Sequence, residues 1–307
     1  KVLEQWEVIP GYCSLLYYLI LNKQVDDGTR FIAISCFKNA VHKYWLPRNN
    51  SKGSISNEEK TSIRENFSQL FNEENNLNAL HIGLLYAKIA RLDFPRDWPN
   101  PLHQLIQLQE EPNITPLRKL RLLSALKFTV KSLSSKVLTV ARTRFQSATT
   151  DILPYIYNLW MSTNQQIANS LKSGNLTIEI VPVLEACKLS LQTLKPLIQY
   201  GVSKVNENQI AMEFISNLLP SLREYIHCAK QNTLESVCMN YIRKYIIVSC
   251  KIIVELHKSK PGPFEPFLIP CLELMWGELA TLSVEETTDS TIKQRLVVYC
   301  LRYIKDV

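Results

Sequence analysis

The sequence predicts an all-α fold, a right-handed α-α superhelix of about six HEAT-type repeats with two helices each. Apolar residues recur with helical spacing along all 307 residues, and only 8 residues are glycine. A helical chain of this length is too long for one compact core. Stacked repeats solve this problem, because each repeat buries its apolar face against its neighbours.

Proline, glycine and acidic turn residues divide the helical pattern into six pairs. The first helix of each pair is predicted over 10–21, 57–71, 99–108, 137–171, 206–231 and 263–283. The second helix of each pair is predicted over 29–45, 75–92, 115–133, 180–200, 233–256 and 291–307. The chain begins at Lys1 without an initiator Met and ends inside a helical pattern, so we expect a fragment of a longer protein.

The first pairs carry clear boundary signals. Asp26 and Asp27 precede the second helix, where negative charge suits the helix dipole. Ser56 followed by Glu59 at the third position is typical of a capping box. The segment 95–99, with a proline at each end, stops the second pair.

The later pairs are separated in the same way. Pro154 predicts a possible bend in the long helix 137–171, and Gly174 with Asn175 separates it from its partner. Gly201 predicts a C-terminal stop for the helix 180–200. The breaker segment 260–263 ends the fifth pair.

Catalytic and metal sites are not predicted. The sequence contains no P-loop, nucleophile elbow, H-E-x-x-H or G-x-G-x-x-G motif, so we expect no enzyme activity, no catalytic residues and no cofactor. The five His are dispersed at no metal-ligand spacing, and the 8 Cys form no C-x-x-C pair. The cysteines are typical of small buried apolar residues in a reducing compartment. The apolar run 12–21 is too short to span a bilayer, so no membrane segment is expected.

Positive charge is concentrated in one segment. Residues 112–150 contain eight Lys and Arg and no acid, so of the net charge of +7 this segment supplies +8 and the remainder −1. Two interpretations of this segment have equal weight: it binds an acidic protein partner, or it is a helix face exposed to solvent. Direct nucleic-acid binding is disfavoured, because only Phe128 and Phe145 are interleaved among these cations.

Two signatures near the start point to a family. One is R-x-x-A-x-x-x-F-K-N followed by a tryptophan, formed by Arg30, Ala33, Phe37, Lys38, Asn39 and Trp45. The other is the ending D-F-P-R-D-W-P over 93–99, which contains Pro95, Trp98 and Pro99. With the opening W-E-x-I-P-G-Y of 6–12, these segments resemble the amino-terminal domain of the importin-β (karyopherin) family. Stretches such as 130–136 and 194–201 are similar to its importin-eleven branch.

The resemblance implies a nuclear transport receptor that shuttles between cytoplasm and nucleus. Its implied partners are Ran-GTP, protein cargo and phenylalanine-glycine nucleoporins, and the branch favours import. It also implies a division into 1–108, an amino-terminal domain with the Ran-binding surface, and 109–307, continuing repeats truncated at the C-terminal end. The alternative is a general HEAT scaffold for protein assembly without Ran binding. The sequence identifies neither the cargo nor the nucleoporin-binding residues among candidates such as Phe214 and Trp276.

The implied Ran contacts lie on the second helices of the first three pairs. Lys38 occupies the family's lysine position, beside an apolar stripe that would pack its stem while its ammonium reaches an acidic partner. A solvated lysine is the alternative. The full set of candidates is Lys38, His42, Asn75, Asn78, His81, Arg121, Lys127 and Lys131.

The remaining motif residues are interpreted as structural. Arg30 is expected to tie together the two helices of the first repeat, and Asn39 to form a helix-end or inter-helix hydrogen bond. Trp45, Trp98 and Pro99 are expected to pack between helices or stop them.

Overall fold

The computed structural model describes residues 6–46, 53–173, 177–231, 236–284 and 290–306. Over these residues the chain forms twelve α-helices and no strand, which confirms the all-α repeat fold. The helices are α1 Tyr12–Leu21, α2 Asp27–Tyr44, α3 Asn57–Asn66, α4 Asn76–Asp93, α5 Pro101–Gln109, α6 Pro116–Ser134, α7 Thr139–Lys172, α8 Val181–Pro196, α9 Gln209–Gln231, α10 Ser236–Ser259, α11 Leu268–Val284 and α12 Ser290–Asp306.

All six predicted pairs are present. The second pair is more irregular than predicted, because α3 ends at Asn66 and a 3-10 helix, Phe67–Asn72, replaces its last turns. The predicted helix 180–200 likewise ends in a π-helical turn, Leu197–Gly201. The predicted separator at Gly174 and Asn175 lies outside the described residues.

The chain divides into two compact units, 1–144 and 145–307. In the first unit, α2, α4 and α6 pack side by side in succession, with α1 against α2 and α5 against α6. We call these three helices the α2–α4–α6 layer. In the second unit, α10 packs against α8 and α12. The resemblance implies a division after residue 108 between two segments of the family. The boundary between the compact units does not test that division, which stays a prediction.

An aromatic cluster forms part of the core of the first unit. Tyr86 of α4 makes edge contacts with Phe67 and Trp98, at ring-centroid distances of 5.2 and 4.8 Å. Its hydroxyl donates to the carbonyl of Pro101 at 2.7 Å. Such rings bury large apolar areas, so this cluster fixes α4, the central helix of the layer, against the 3-10 helix Phe67–Asn72 and the start of α5.

The predicted capping box is only half correct. Ser56 accepts a hydrogen bond from the backbone N–H of Glu59 at 3.2 Å, as expected of an N-cap. The Glu59 carboxylate, however, does not reach back to Ser56. It accepts from the backbone N–H and hydroxyl of Ser14, at 2.8 and 3.0 Å, and from the N–H of Gly11. Glu59 therefore caps the start of α1, because the free N–H groups of that helix lie within reach.

Candidate functional site

One face of α4 is directed to solvent in the middle of the α2–α4–α6 layer. Leu77, His81, Leu84, Lys88 and Arg91 recur every three or four residues and are partly or fully exposed. Leu77 and Leu84 are 52% and 37% exposed. The face thus passes from apolar residues in its first half to cations in its second half.

The cationic half continues onto the neighbouring helices. Lys38 of α2 lies near His81 and Lys88 of α4. The pKa of His81 and the pKa of Lys88 are both lowered, mainly by burial and to a smaller extent by the charge of Lys38. On α6, the Lys127 ammonium lies 4.1 Å from the centroid of the Phe128 ring. No Asp or Glu occurs in 28–44, 76–92 or 116–134. The acids of these three helices are Asp27, the first residue of α2, and Asp93, the last residue of α4, so the middle of the face has positive charge without an acid on its own helices.

Three other predicted residues, Lys131, His42 and Asn39, border this region, and His81 lies within it. Lys131 and His42 are exposed on α6 and α2. His81 packs edge-on against Phe31 at 5.0 Å, and its Nδ1 is buried without a hydrogen-bond partner among the described residues. Asn39 is exposed, and its predicted hydrogen bond is not formed within the described part of the chain.

A buried ion pair lies at the amino-terminal end of the layer. The Arg30 guanidinium binds the Glu73 carboxylate, with Nη2 to Oε1 at 3.2 Å, and their side chains are 5% and 2% exposed. It also pairs with Asp27 on its own helix, while Lys23 reaches Glu73 at 3.2 Å. The expectation for Arg30 needs correction: its buried partner, Glu73, belongs to the second repeat, directly before α4. The pair links consecutive repeats.

Asn75 and Asn78 belong to the same polar network. The Asn75 side chain caps α4, accepting from the N–H groups of Leu77 and Asn78 at 3.0 and 3.1 Å, and donates to the Asp27 carboxylate at 2.8 Å. Asn78 is 1% exposed and donates to the carbonyl of Asp27. Both side chains are therefore occupied in joining α4 to α2.

Arg121 extends this network to α6. Its guanidinium donates to the carbonyls of Glu73 and Glu74, at 3.2 and 3.0 Å, and to the Asn76 side chain at 2.7 Å. Of the predicted binding residues, Asn75, Asn78 and Arg121 thus lie in inter-helix contacts, apart from the cluster around Lys38.

We expect the Glu73 contacts to make stability acid-sensitive. Although burial raises the pKa of Glu73, hydrogen bonds from Arg30, the Asn75 N–H and Lys23 outweigh it and lower this pKa. A lowered folded-state pKa gives stability that is complete above the ordinary Glu pKa of about 4.3 and is lost as pH falls through the folded value. Urea unfolding across this range should show the loss. A Glu73→Gln variant should show a weaker dependence, and an equal dependence would contradict the assignment.

A second buried acid organises the other end of the layer. Asp93, 3% exposed, accepts from the Trp45 indole N–H and from Arg64, both at 2.7 Å. Trp45 is completely buried, so it packs as predicted and also donates a hydrogen bond. Sequence reasoning assigned no role to Asp93. Its position before the helix-ending Pro95 is the signal that could have singled it out.

The other motif residues occupy packing positions. Ala33 and Phe37 are buried on α2, Trp98 is buried against Tyr86, and Pro99 is exposed after the helix end. In the part of the chain that the structure describes, no three His, Cys, Asp or Glu are grouped to hold a metal ion. None of the described helices combines the length and apolar character needed to cross a bilayer.

Comparisons with known proteins agree with the resemblance. Residues 1–73 match the family model of the importin-beta N-terminal domain. Human Importin-11 is 30% identical over 303 residues, which cover 99% of this chain and 30% of that protein. The importin beta-like protein KAP120 of Saccharomyces cerevisiae is 29% identical over 271 residues, 88% of this chain and 25% of that protein. The chain therefore spans about 30% of the length of Importin-11.

Two solved structures share the fold. The structure of Lph2, described as a novel bidirectional nuclear transport receptor in S. cerevisiae, has a TM-score of 0.80 at 25% identity. It is matched over 99% of this chain and 30% of its own. The exportin Cse1 in its cargo-free, cytoplasmic state has a TM-score of 0.74 at 16% identity, over 99% of this chain and 32% of its own.

Proposed function

Because the chain belongs to the importin-β (karyopherin) family, we propose that it is the amino-terminal part of a nuclear transport receptor whose α2–α4–α6 layer binds Ran-GTP. One observation carries the assignment of the surface: Lys38, His81 and Lys88 converge from two helices on a face whose helices bring no acid to it. Such a face attracts an acidic partner over a distance and orients it.

The exposed leucines beside these cations complete the proposed surface. Leu77, Leu80 and Leu84 are 52%, 41% and 37% exposed on α4, next to His81 and Lys88. Apolar contact in the centre of an interface supplies most of the binding free energy, while charges at the rim set rate and specificity. We propose Lys38 and Lys88 as the principal polar contacts, with His42, His81, Lys127 and Lys131 around them.

The proposed receptor carries protein cargo past phenylalanine-glycine nucleoporins and shuttles between cytoplasm and nucleus. Residues 1–108 serve as its amino-terminal domain. Ran-GTP and cargo are linked by unfavourable coupling, so each lowers the affinity of the receptor for the other by the same factor. We propose no enzymatic step, cofactor, membrane contact or direct nucleic-acid contact for this function.

A binding measurement tests the proposal. The purified chain is titrated with Ran loaded with a non-hydrolysable GTP analogue, and separately with Ran-GDP. We expect a clear preference for the GTP form and a loss of about tenfold or more for Lys38→Glu, because charge reversal turns attraction into repulsion. Calorimetry or biolayer interferometry gives both dissociation constants.

Lys172→Glu is the matched control. Lys172 is exposed in the last turn of α7, a helix outside the α2–α4–α6 layer. It carries the same charge change and should leave binding almost unchanged. Equal binding of both nucleotide forms by the wild-type chain would contradict the proposal and favour a HEAT scaffold without Ran binding.

A further inference from the structure

The second unit carries a separate line of cations where α8 and α10 pack together. On α10, Tyr241, Lys244, Val248, Lys251 and Glu255 recur every three or four residues and therefore share one face. None of these five is buried. Lysines of α8 reach the same line, so the two helices form one continuous edge, which we call the α8–α10 edge.

Two lysines from different helices share one aromatic ring. The ammonium groups of Lys188 on α8 and Lys244 on α10 lie 5.0 and 5.5 Å from the centroid of the Tyr241 ring. Both distances are within the range of cation–π contacts. Burial lowers the pKa of Lys188, Glu185 opposes this, and the charge of Lys244 adds to the lowering. The two ammonium groups repel each other, and an anion between them would relieve that repulsion.

A second group of charges follows along the edge. Glu255 pairs with Lys195 of α8 and with Lys251 of α10, the latter at 3.6 Å. The α8–α10 edge contains four lysines and two glutamates, so its net charge is 4 − 2 = +2. The residues are Lys188, Lys195, Lys244, Lys251, Glu185 and Glu255. The positive charge is thus arranged in two centres, Lys188 with Lys244 and Lys195 with Lys251.

We propose that the α8–α10 edge binds an acidic protein segment, with one carboxylate between Lys188 and Lys244 and another beside Lys251. Identifying this segment as part of a cargo rests on the proposed function, whereas the binding itself does not. Lys244 and Lys251 are seven residues apart, about 10 Å along a helix at 1.5 Å per residue. A segment in polyproline II conformation has three residues per turn at 3.1 Å each, so its every third side chain lies on one face, about 9 Å from the last. Acids at every third position therefore match the two centres.

A protein segment fits this edge better than a nucleic acid. Glu185 and Glu255 lie among the lysines, and they would repel the closely spaced phosphates of a continuous polyanion. The Tyr241 ring already contacts two ammonium groups, so it is poorly placed to stack on a base. Separate carboxylates on a flexible segment can meet the lysines and avoid the glutamates.

Fluorescence polarisation tests the proposal with a labelled twelve-residue peptide that has Glu at every third position and Ser or Gly elsewhere. We expect the purified chain to bind it, and the Lys188→Gln/Lys244→Gln variant to bind about tenfold more weakly. Lys244→Arg should retain binding, because it keeps the charge. The matched control is Lys172→Gln/Lys204→Gln, which removes the same charge from exposed positions outside the edge.

Three outcomes would overturn the proposal: no binding of the peptide by the wild-type chain, an equal loss in both double variants, or tighter binding of a single-stranded RNA oligonucleotide with the same dependence on Lys188 and Lys244. Circular dichroism verifies that each variant is folded. The edge variants leave Lys38 unchanged, so the Ran titration and the peptide titration test separate surfaces. Failure of the proposed function and failure of the edge proposal can therefore be distinguished.

Discussion

Replacing Glu73 by alanine is expected to lower the free energy of unfolding by about 3 kcal/mol, because it leaves a buried guanidinium without its main partner. The Arg30 side chain is 5% exposed, and Asp27, its remaining partner, is 56% exposed. Glu73 also accepts from Lys23 and from the Asn75 N–H, so the substitution releases those donors as well. Urea unfolding followed by circular dichroism measures the change.

Two further variants separate this effect from a general loss of charge. Glu74→Ala removes an exposed acid from the next position and should cost less than about 0.5 kcal/mol. The Arg30→Met/Glu73→Leu double variant should recover much of the stability, because it leaves no buried charge behind. A Glu73→Ala variant as stable as wild type, or a double variant less stable than the single one, would show that the pair does not hold these repeats together.

The fold could be predicted because its signals are local. Helix boundaries depend on caps and breakers within a few residues, such as the Asp26 carboxylate that accepts from the Thr29 N–H at 2.9 Å at the start of α2. Arg30 shows where this reasoning ends. Its own helix supplies Asp27, but its buried partner lies 43 residues away in the next repeat. No spacing rule connects residues across repeats, so the sequence indicated a structural arginine without its correct partner.

The candidate surface was predictable to a similar depth. The resemblance placed Lys38 and His81 among the implied contacts, but the proximity of Lys38 to Lys88 depends on how α2 packs against α4. Asn75 precedes α4 as an N-cap, a role that sequence reasoning could have assigned, since asparagine is among the best N-cap residues. Caps and binding residues use the same polar side chains, so composition alone does not separate them.

Gly201→Ala is expected to destabilise the second unit by about 3 kcal/mol, the upper part of the usual range for overpacking. The sequence predicts a C-terminal helix stop at Gly201, and such stops commonly use a left-handed glycine, yet among the described glycines only Gly11 has a left-handed φ. The reason for glycine is space. A Cβ here would lie 2.1 Å from Oγ1 and 2.6 Å from Cγ2 of Thr149, a buried α7 side chain. Thermal unfolding of the variant measures the cost.

Gly277→Ala supplies the comparison with the opposite sign. Gly277 is exposed in α11 with no described atom within 4 Å of its Cβ position, so alanine there should stabilise by about 0.5–1 kcal/mol through its better helix propensity. The clash itself is tested in a Thr149→Gly background, where all three close atoms are absent. There the added cost of Gly201→Ala should fall below about 1 kcal/mol. An unchanged cost would mean that the π-helical turn needs glycine for its backbone, and that Thr149 does not select it.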